Sequence, residues 1–222
     1  NLAGALLVWL TLEKTSGMMQ TSEDGSFHMR RWTYHFADGA LRRAFAIGFL
    51  ILFVFIGTFT YVNFRLVELG VTQMMLGLVY LVFLPSMLTT PLAGRIATGL
   101  GGGRGIIATL ALGILGLLAL LSSSLMIVLF GLSLVAVGTF LAQAIATGLV
   151  GRHAVTDRAG ASGIYLASYY SGGLVGSLIV GRVYDHLGWS MTVAVLATAL
   201  GGATLIAAMG PETRNAKKQS HN

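Results

Sequence analysis

Residues 105–151 read GIIATLALGILGLLALLSSSLMIVLFGLSLVAVGTFLAQAIATGLVG, a run of 47 residues without an acidic side chain, a lysine or an arginine. A helix that crosses the hydrocarbon core of a bilayer needs about 20 apolar residues. The run is therefore too long for one membrane-spanning helix. Three consecutive serines, Ser122 to Ser124, interrupt it and predict a break between one span over 105–121 and another over 125–150.

Four more uncharged apolar stretches of similar length lie on either side of this run. Their bounds are 44–64, 71–94, 159–181 and 189–209. Together with the two spans of the central run, they predict an all-α bundle of six transmembrane helices. The bundle would extend over residues 44–210, and the lipid bilayer is its first predicted partner.

The composition of the whole chain agrees with a membrane protein. Of the 222 residues, 55% are hydrophobic and 10% are charged, and the mean hydropathy is +0.79. Soluble domains carry about 25% charged residues, so the composition excludes a soluble domain, a nucleic-acid-binding domain and a disordered chain. Cysteine is absent, which excludes disulfides and thiolate metal sites. No cofactor is predicted, and the 30 glycines suit closely packed helices in lipid.

The two ends of the chain differ from this central part. Residues 1–12 are apolar but too short to span a bilayer, and Glu13 and Lys14 follow them. A signal peptide would begin with basic residues, so this segment is interpreted as the end of a truncated transmembrane helix and the sequence as a fragment. Residues 13–43 predict a cytoplasmic connector, and residues 211–222 predict a cytoplasmic tail.

Lysine and arginine are distributed unequally between alternate connections. Short cytoplasmic loops carry an excess of both residues. With the connector on one side and alternating spans, 12 basic residues fall on that side and 2, Arg65 and Arg182, fall on the other. The connector and the C-terminus are therefore predicted to be cytoplasmic. The net charge of +6 follows from this topology and requires no nucleic acid as partner.

Two short segments share one pattern. Gly94–Gly101 reads GRIATGLG and Gly181–Gly188 reads GRVYDHLG, so both fit G-R-[IV]-x-x-x-L-G. Each follows the second helix of a group of three, and the charge distribution places them on opposite sides of the membrane. This predicts two inverted three-helix repeats, which are a recurrent basis of secondary transporters.

These features together resemble the C-terminal half of a major facilitator superfamily transporter, which has twelve helices. The segment 94–104 resembles the cytoplasmic loop motif G-x-x-x-D-R-x-G-R-[KR] of that family, although Thr98 and Gly99 replace its acidic and following basic residues. That departure argues against a gating ion pair in this loop. The residues assigned to the motif and to its external copy are Gly94, Arg95, Gly101, Arg104, Gly181, Asp185 and Gly188.

Two further segments carry the resemblance. Pro211–Arg214 reads PETR, similar to the ending found after the last helix in many members. Residues 158–173 resemble the penultimate helix of bacterial proton-coupled drug and sugar exporters of the arabinose-efflux-like type. The resemblance implies a multi-pass protein of the bacterial inner membrane that exports small-molecule substrates by alternating access. It also implies a missing N-terminal six-helix half as partner, and proton coupling through that half.

Polar and aromatic side chains recur at helical spacing in the first, second, fourth and fifth spans. The resemblance implies that these spans surround a central cavity, whereas the third and sixth are peripheral. The residues proposed to line the cavity are Thr58, Tyr61, Gln73, Tyr80, Thr139, Gln143, Tyr165 and Tyr169. A structural interpretation stands beside each: threonines often satisfy their own helix carbonyls, and Gln143 suits an interhelical hydrogen bond as well as a cavity wall.

Ionisable residues are missing from all six predicted spans. Carboxylates at membrane depth are the usual proton relays of transporters. This part of the sequence therefore predicts no proton relay of its own, and the resemblance places that group in the N-terminal half.

Other functions remain as alternatives from the sequence. Gly160–Gly163 matches the G-x-S-G motif of rhomboid-type intramembrane serine proteases, but all five histidines lie outside the spans. A channel would need repeated pore-lining residues, which the sequence does not show. A structural or regulatory membrane subunit that transports nothing is the remaining alternative. Substrate identity, direction of transport, coupling ion and oligomeric state are left open.

Overall fold

The computed structural model describes residues 35–154 and 157–210. The predictions for segment 1–12, for most of the connector 13–43 and for the tail 211–222 fall outside these ranges. Within them the chain is almost entirely helical and contains no strand. The prediction of an all-α protein is confirmed.

The helices are numbered in chain order. They are α1 (Gly39–Glu68), α2 (Leu76–Val79), α3 (Leu84–Thr89), α4 (Ala93–Gly99), α5 (Gly102–Ala119), α6 (Leu125–His153) and α7 (Arg158–Ala208). Two 3-10 turns, Tyr80–Phe83 and Thr90–Leu92, join α2 to α3 and α3 to α4. Helices α2 to α4 with these turns form one region, Leu76–Gly99, that is long and apolar enough to cross a membrane.

Helix α7 contains two spans rather than one. Gly188 inside it has φ 75° and ψ −175°, which breaks the helix. Val180 and Leu196 lie 16 residues apart in sequence, a distance of about 24 Å along a straight helix. Both side chains nevertheless approach within 2.8 Å of the position that a Cβ atom would take at Gly57. The chain therefore folds back at Gly188, and the described residues form six spans, as predicted.

The observed spans differ from the predicted ones mainly at their ends. Helix α1 begins at Gly39 instead of residue 44, because Asp38 caps it by accepting a hydrogen bond from the Ala40 amide at 2.7 Å. The second span begins at Leu76 and ends at Gly99, five residues later than predicted at each end. Charged residues mark where the apolar stretch ends, but a helix can continue beyond that point and carry them into the interface.

Successive spans run in opposite directions. Helix α1 contacts the 158–187 part of α7 in parallel, since Gly48 lies against Tyr165 and Gly57 against Val180. It contacts the 189–208 part in the antiparallel sense, since Gly57 also lies against Leu196 and Arg43 approaches Gly210. One end of the bundle therefore collects most arginines of the described ranges. We call it the arginine-rich end: Arg42, Arg43, Arg95, Arg104, Arg152 and Arg158.

Glycine allows close contact between the helix backbones. A Cβ atom at Gly172 would overlap the carbonyl oxygen of Phe49, and one at Gly176 would lie 2.6 Å from the carbonyl oxygen of Phe53. The two glycines are four residues apart, and so are the two phenylalanines, so the helices meet along one face. This is the small-residue packing known from membrane helices, and it joins α1 to α7.

The two copies of the glycine pattern have the same local structure. Gly101 ends the first copy with φ 80° and ψ 150°, and Gly188 ends the second copy with φ 75° and ψ −175°. Both conformations lie in a region that is essentially restricted to glycine. In each copy the next helix begins immediately afterwards. The inverted repeat predicted from sequence therefore has a structural counterpart.

Candidate substrate-facing surface

An aromatic cluster forms where α1, the second span and α6 meet. It consists of Phe55 and Phe59 of α1, Tyr80 and Phe83 of the first 3-10 turn, and Phe140 of α6. Phe83 is its centre, with ring centroids 4.6 Å from Phe59, 5.8 Å from Phe55 and 6.2 Å from Phe140. Aromatic rings at these distances attract one another in tilted and edge-to-face arrangements. The cluster fixes three helices around one apolar surface.

A shallow pocket opens beside this cluster. It is lined by Ile51, Phe55, Thr139, Phe140 and Tyr169. Phe55 and Phe140 belong to both features, and their ring centroids are 5.4 Å apart with the rings nearly perpendicular. Three helices, α1, α6 and α7, therefore supply the walls of one pocket.

The lining is uncharged and offers few polar groups. The hydroxyl of Thr139 donates to the carbonyl of Val135 in its own helix at 2.7 Å. That leaves the Tyr169 hydroxyl as the polar group of the pocket without a hydrogen bond in the described ranges. The pocket is suited to apolar contact more than to hydrogen bonding.

Tyr165 and Gln143 form a hydrogen-bonded pair next to the pocket. The Tyr165 hydroxyl donates to Gln143 Oε1 at 2.6 Å, which links α7 to α6. Tyr165 is 1% exposed, so in this chain it packs inside the bundle and does not face an open surface. Its ring stacks on that of Tyr169 with centroids 6.3 Å apart. Of the two roles considered for Gln143, the geometry shows the interhelical hydrogen bond.

The predicted residues of the first span lie away from the pocket. Tyr61 donates its hydroxyl to the carbonyl of Ser177 at 2.9 Å, and its ring stacks on Tyr184 at 5.6 Å. It therefore ties α1 to α7 toward the end opposite the arginine-rich end. Thr58 is fully buried, and its hydroxyl makes no hydrogen bond within the described ranges.

The predicted residues of the second span do not share one helical face. Gln73 lies in an exposed turn before the span begins at Leu76, and Tyr80 starts a 3-10 turn. The helical spacing assumed for these two residues therefore does not apply. Tyr80 is 51% exposed and joins the aromatic cluster through Phe83, with ring centroids 5.9 Å apart.

The residues of the loop motif contribute to turns and helix ends instead of to the pocket. Gly94 and Arg95 belong to α4, and Arg104 belongs to α5, so the presumed loop is mostly helix. On the opposite side, Gly181 and Asp185 lie within α7. Neither the arginines nor the aspartate of the two copies forms an ion pair among residues 35–154 and 157–210.

The described residues also bear on a metal site and on the serine-protease alternative. They include no group of histidines and carboxylates suited to a metal ion. Ser162, the serine of the protease-like motif, forms no hydrogen bond with a histidine in these ranges. His35 instead lies 3.3 Å from Asp157, which also caps α7 by accepting from the Gly160 amide.

The aromatic residues of the cluster were missed by the sequence analysis, apart from Tyr80. The cavity residues were predicted from polar side chains at helical spacing, whereas phenylalanine is equally compatible with a lipid-facing surface. A usable signal was present: Phe55, Phe83 and Phe140 lie in three of the four spans that carry the polar residues.

Comparison with known proteins adds relatives from three bacteria. The chain is 31% identical over 207 residues to the inner membrane transport protein YnfM of Escherichia coli, a match that covers 92% of the chain and 50% of YnfM. It is 26% identical over 191 residues to the uncharacterized MFS-type transporter YybF of Bacillus subtilis, covering 82% of the chain and 47% of YybF. An uncharacterized transporter of Buchnera aphidicola is 26% identical over 191 residues, with 85% and 46% covered. No family model matches the chain.

The six spans and their glycine-linked inverted repeats define a multi-pass helical membrane protein. The chain spans about half the length of the curated relatives it matches. Its relatives carry transporter names, one of them MFS-type, and the chain is similar to a six-helix half of a major facilitator superfamily transporter, consistent with the C-terminal half.

Proposed function

We propose that the chain forms one half of a secondary transporter that exports small molecules, such as drugs or sugars, by alternating access. The observation that carries this proposal is the uncharged pocket with aromatic walls between α1, α6 and α7. Midplane sites between two helix bundles are the usual binding sites of such transporters. The protein would reside in the bacterial inner membrane, as the name of the Escherichia coli relative states for that protein.

The depth of the pocket supports this function. Phe55 lies near the middle of the 30-residue helix α1, and Phe140 near the middle of the 29-residue helix α6. Helices of these lengths measure about 45 Å, enough to cross a bilayer with its headgroups. A pocket bounded by both residues therefore lies near mid-membrane, where a second six-helix bundle would close it.

The walls of the pocket favour substrates that carry aromatic rings or lipophilic cations over sugars. Aromatic faces attract flat rings by stacking and cations through their quadrupole. A sugar needs many hydrogen bonds, and buried hydroxyls that find no partner cost about 1–3 kcal/mol each. The lining offers chiefly the hydroxyl of Tyr169 for that purpose, so within the proposed substrate range its chemistry favours drug-like molecules over sugars.

Coupling and orientation complete the proposal. The pocket residues carry no carboxylate, so proton coupling would reside in the N-terminal half. The arginine-rich end would face the cytoplasm under the positive-inside rule, which also places the C-terminus there.

The accessibility of Tyr169 to water tests the proposal. In the intact transporter, a cysteine at Tyr169 should react with a small water-soluble thiol reagent, because it would line an aqueous cavity. The matched control is a cysteine at Leu115 of α5, which is well exposed on the bundle but is expected to face lipid. Labelling of the first and protection of the second are expected. Equal protection at both positions would overturn the assignment of the pocket as a substrate cavity.

A further inference from the structure

A second groove lies at the arginine-rich end, apart from the pocket described above. It runs between the ends of four spans, those of α1, α5, α6 and the second half of α7. Most of its lining is aliphatic or small. The lining includes Leu41, Ala44 and Ile47 of α1, Ile106 of α5, Val150 of α6 and Ala207 of α7.

Arg43 lies at the mouth of this groove. Its Nε atom lies 3.9 Å from the position that a Cβ atom would take at Gly210. One of its terminal nitrogens lies 3.4 Å from the position that a Cβ atom would take at Gly39. The side chain thus extends between the start of α1 and the end of α7. It is partly buried, and it forms neither a hydrogen bond nor an ion pair within residues 35–154 and 157–210. A guanidinium has five N–H donors in a planar fork that matches phosphate.

The lining of the groove offers Arg43 no acidic partner within the described ranges. His153 lines the same groove and holds its ring in place through a 3.0 Å contact between Nδ1 and the Leu149 carbonyl. The described ranges contain four acidic residues, and none of them lines the groove. Asp38 and Asp157 cap helices, whereas Glu68 and Asp185 lie at the opposite end of the bundle.

The groove thus combines an apolar interior with a cationic mouth. Its α1 wall extends from Ala40 to Ile47, about 10 Å along the helix axis, which accommodates a glycerol group and the first methylenes of an acyl chain. Basic pockets between transmembrane helices on the cytoplasmic side bind anionic lipid headgroups. We propose that this groove binds one anionic phospholipid of the surrounding leaflet, with its phosphate on Arg43.

Charge complementarity favours a lipid over a segment of the same chain. Residues 211–222, which follow Gly210, are polar and contain Arg214, Lys217 and Lys218. A segment of this composition matches neither an apolar wall nor an arginine at the mouth. Glu212 is the one acidic residue of the segment and supplies the competing explanation, an ion pair with Arg43.

Native mass spectrometry of the purified chain tests the proposal. The chain is incubated with equal amounts of dioleoyl phosphatidylglycerol, which is anionic, and dioleoyl phosphatidylcholine, which is zwitterionic. One phosphatidylglycerol should remain bound, and Arg43→Gln should lower its retention by about tenfold, the effect of losing a charge-assisted bond of about 1.4 kcal/mol. Arg43→Lys should keep most of the preference. Arg182→Gln, which removes an exposed arginine at the opposite end, should keep all of it.

Several outcomes would overturn the proposal. Equal retention of the two lipids by the unchanged chain, or equal effects of Arg43→Gln and Arg182→Gln, would show that the groove does not select anionic lipid. Displacement of the lipid by an equal concentration of glycerol phosphate would indicate a site for a free phosphate. If Arg43→Gln and Glu212→Gln lower thermal stability equally without changing lipid retention, then the arginine pairs with the tail.

Discussion

The second helix of each three-helix repeat shows how far two equivalent regions have diverged. In the first repeat, region Leu76–Gly99 consists of three short helices joined by 3-10 turns, and only Ser86 and Ala93 are buried. In the second repeat, the 158–187 part of α7 is continuous and packs along α1. The turns that end them, at Gly101 and Gly188, nevertheless share a positive φ angle, 80° and 75°, combined with an extended ψ angle.

The two sequences explain the difference. Region 76–99 contains Pro85 and Pro91, each of which removes a backbone donor and disfavours a regular helix around it. The 158–187 part contains no proline, and Gly172 and Gly176 allow its backbone to touch α1. One copy thus serves as a packed support, whereas the irregular copy presents Tyr80 and Phe83 to the aromatic cluster. The turns of the two repeats are therefore alike, whereas their second helices have different structural roles.

The largest effect is expected from filling the glycine contact of the packed copy. Gly172→Leu should lower the free energy of unfolding by about 3 kcal/mol or more, because the new side chain overlaps the Phe49 backbone. Gly77→Leu in the irregular copy is the control, since nothing lies within 4 Å of that position, and it should change stability by less than about 1 kcal/mol. Unfolding in detergent micelles, followed by circular dichroism, measures both. Similar losses for the two variants would contradict the contrast in packing.

An intermediate effect is expected at the shared turns. Alanine at Gly101 or Gly188 should cost about 1–3 kcal/mol at each position, because both need a conformation that alanine avoids. Gly99→Ala should be neutral or slightly stabilising, since Gly99 is helical and has open space around it. The same unfolding measurement applies. If one turn tolerates alanine as well as Gly99 does, the structural equivalence of the two copies fails.

The smallest effect on stability is expected from two tyrosine hydroxyls, one in region 76–99 and one in the 158–187 part of α7. Tyr165→Phe removes the hydrogen bond to Gln143 and should cost about 1 kcal/mol, the size measured for hydrogen bonds between membrane helices. Tyr80→Phe should change stability very little, because the Tyr80 hydroxyl makes no hydrogen bond within the described part of the chain. A difference in unfolding midpoint between the two variants is therefore expected. Its absence would mean that the Tyr165–Gln143 pair adds nothing to stability.

Sequence reasoning succeeded where the signal was local. Uncharged stretches indicated six spans, and the two glycine patterns indicated the repeat because a positive φ angle makes glycine necessary. It failed where the outcome depended on partners distant in sequence. The pairing of Tyr165 with Gln143 joins two different helices, and periodicity along one helix does not encode it.

The residues of the pocket could also be predicted only in part from the sequence. Tyr169 and Thr139 were predicted to line a cavity, and both border the pocket, although whether it receives substrate is a proposal. Their phenylalanine neighbours were not predicted, because the lipid and the interior of a bundle select the same apolar side chains. Only the contacts among Phe55, Phe83 and Phe140 distinguish the two environments.

The single-glycine turn at Gly188 has a consequence for how the protein is made. Because no loop separates the last two spans, one of them cannot insert into the bilayer independently of the other. The two are expected to enter together as a helical hairpin with the short polar residues Asp185 and His186 at its tip. Residues 185–188 are exposed at this tip, but they belong to the helix end and the one-residue turn and not to a loop. An epitope inserted at residue 188 should therefore prevent assembly.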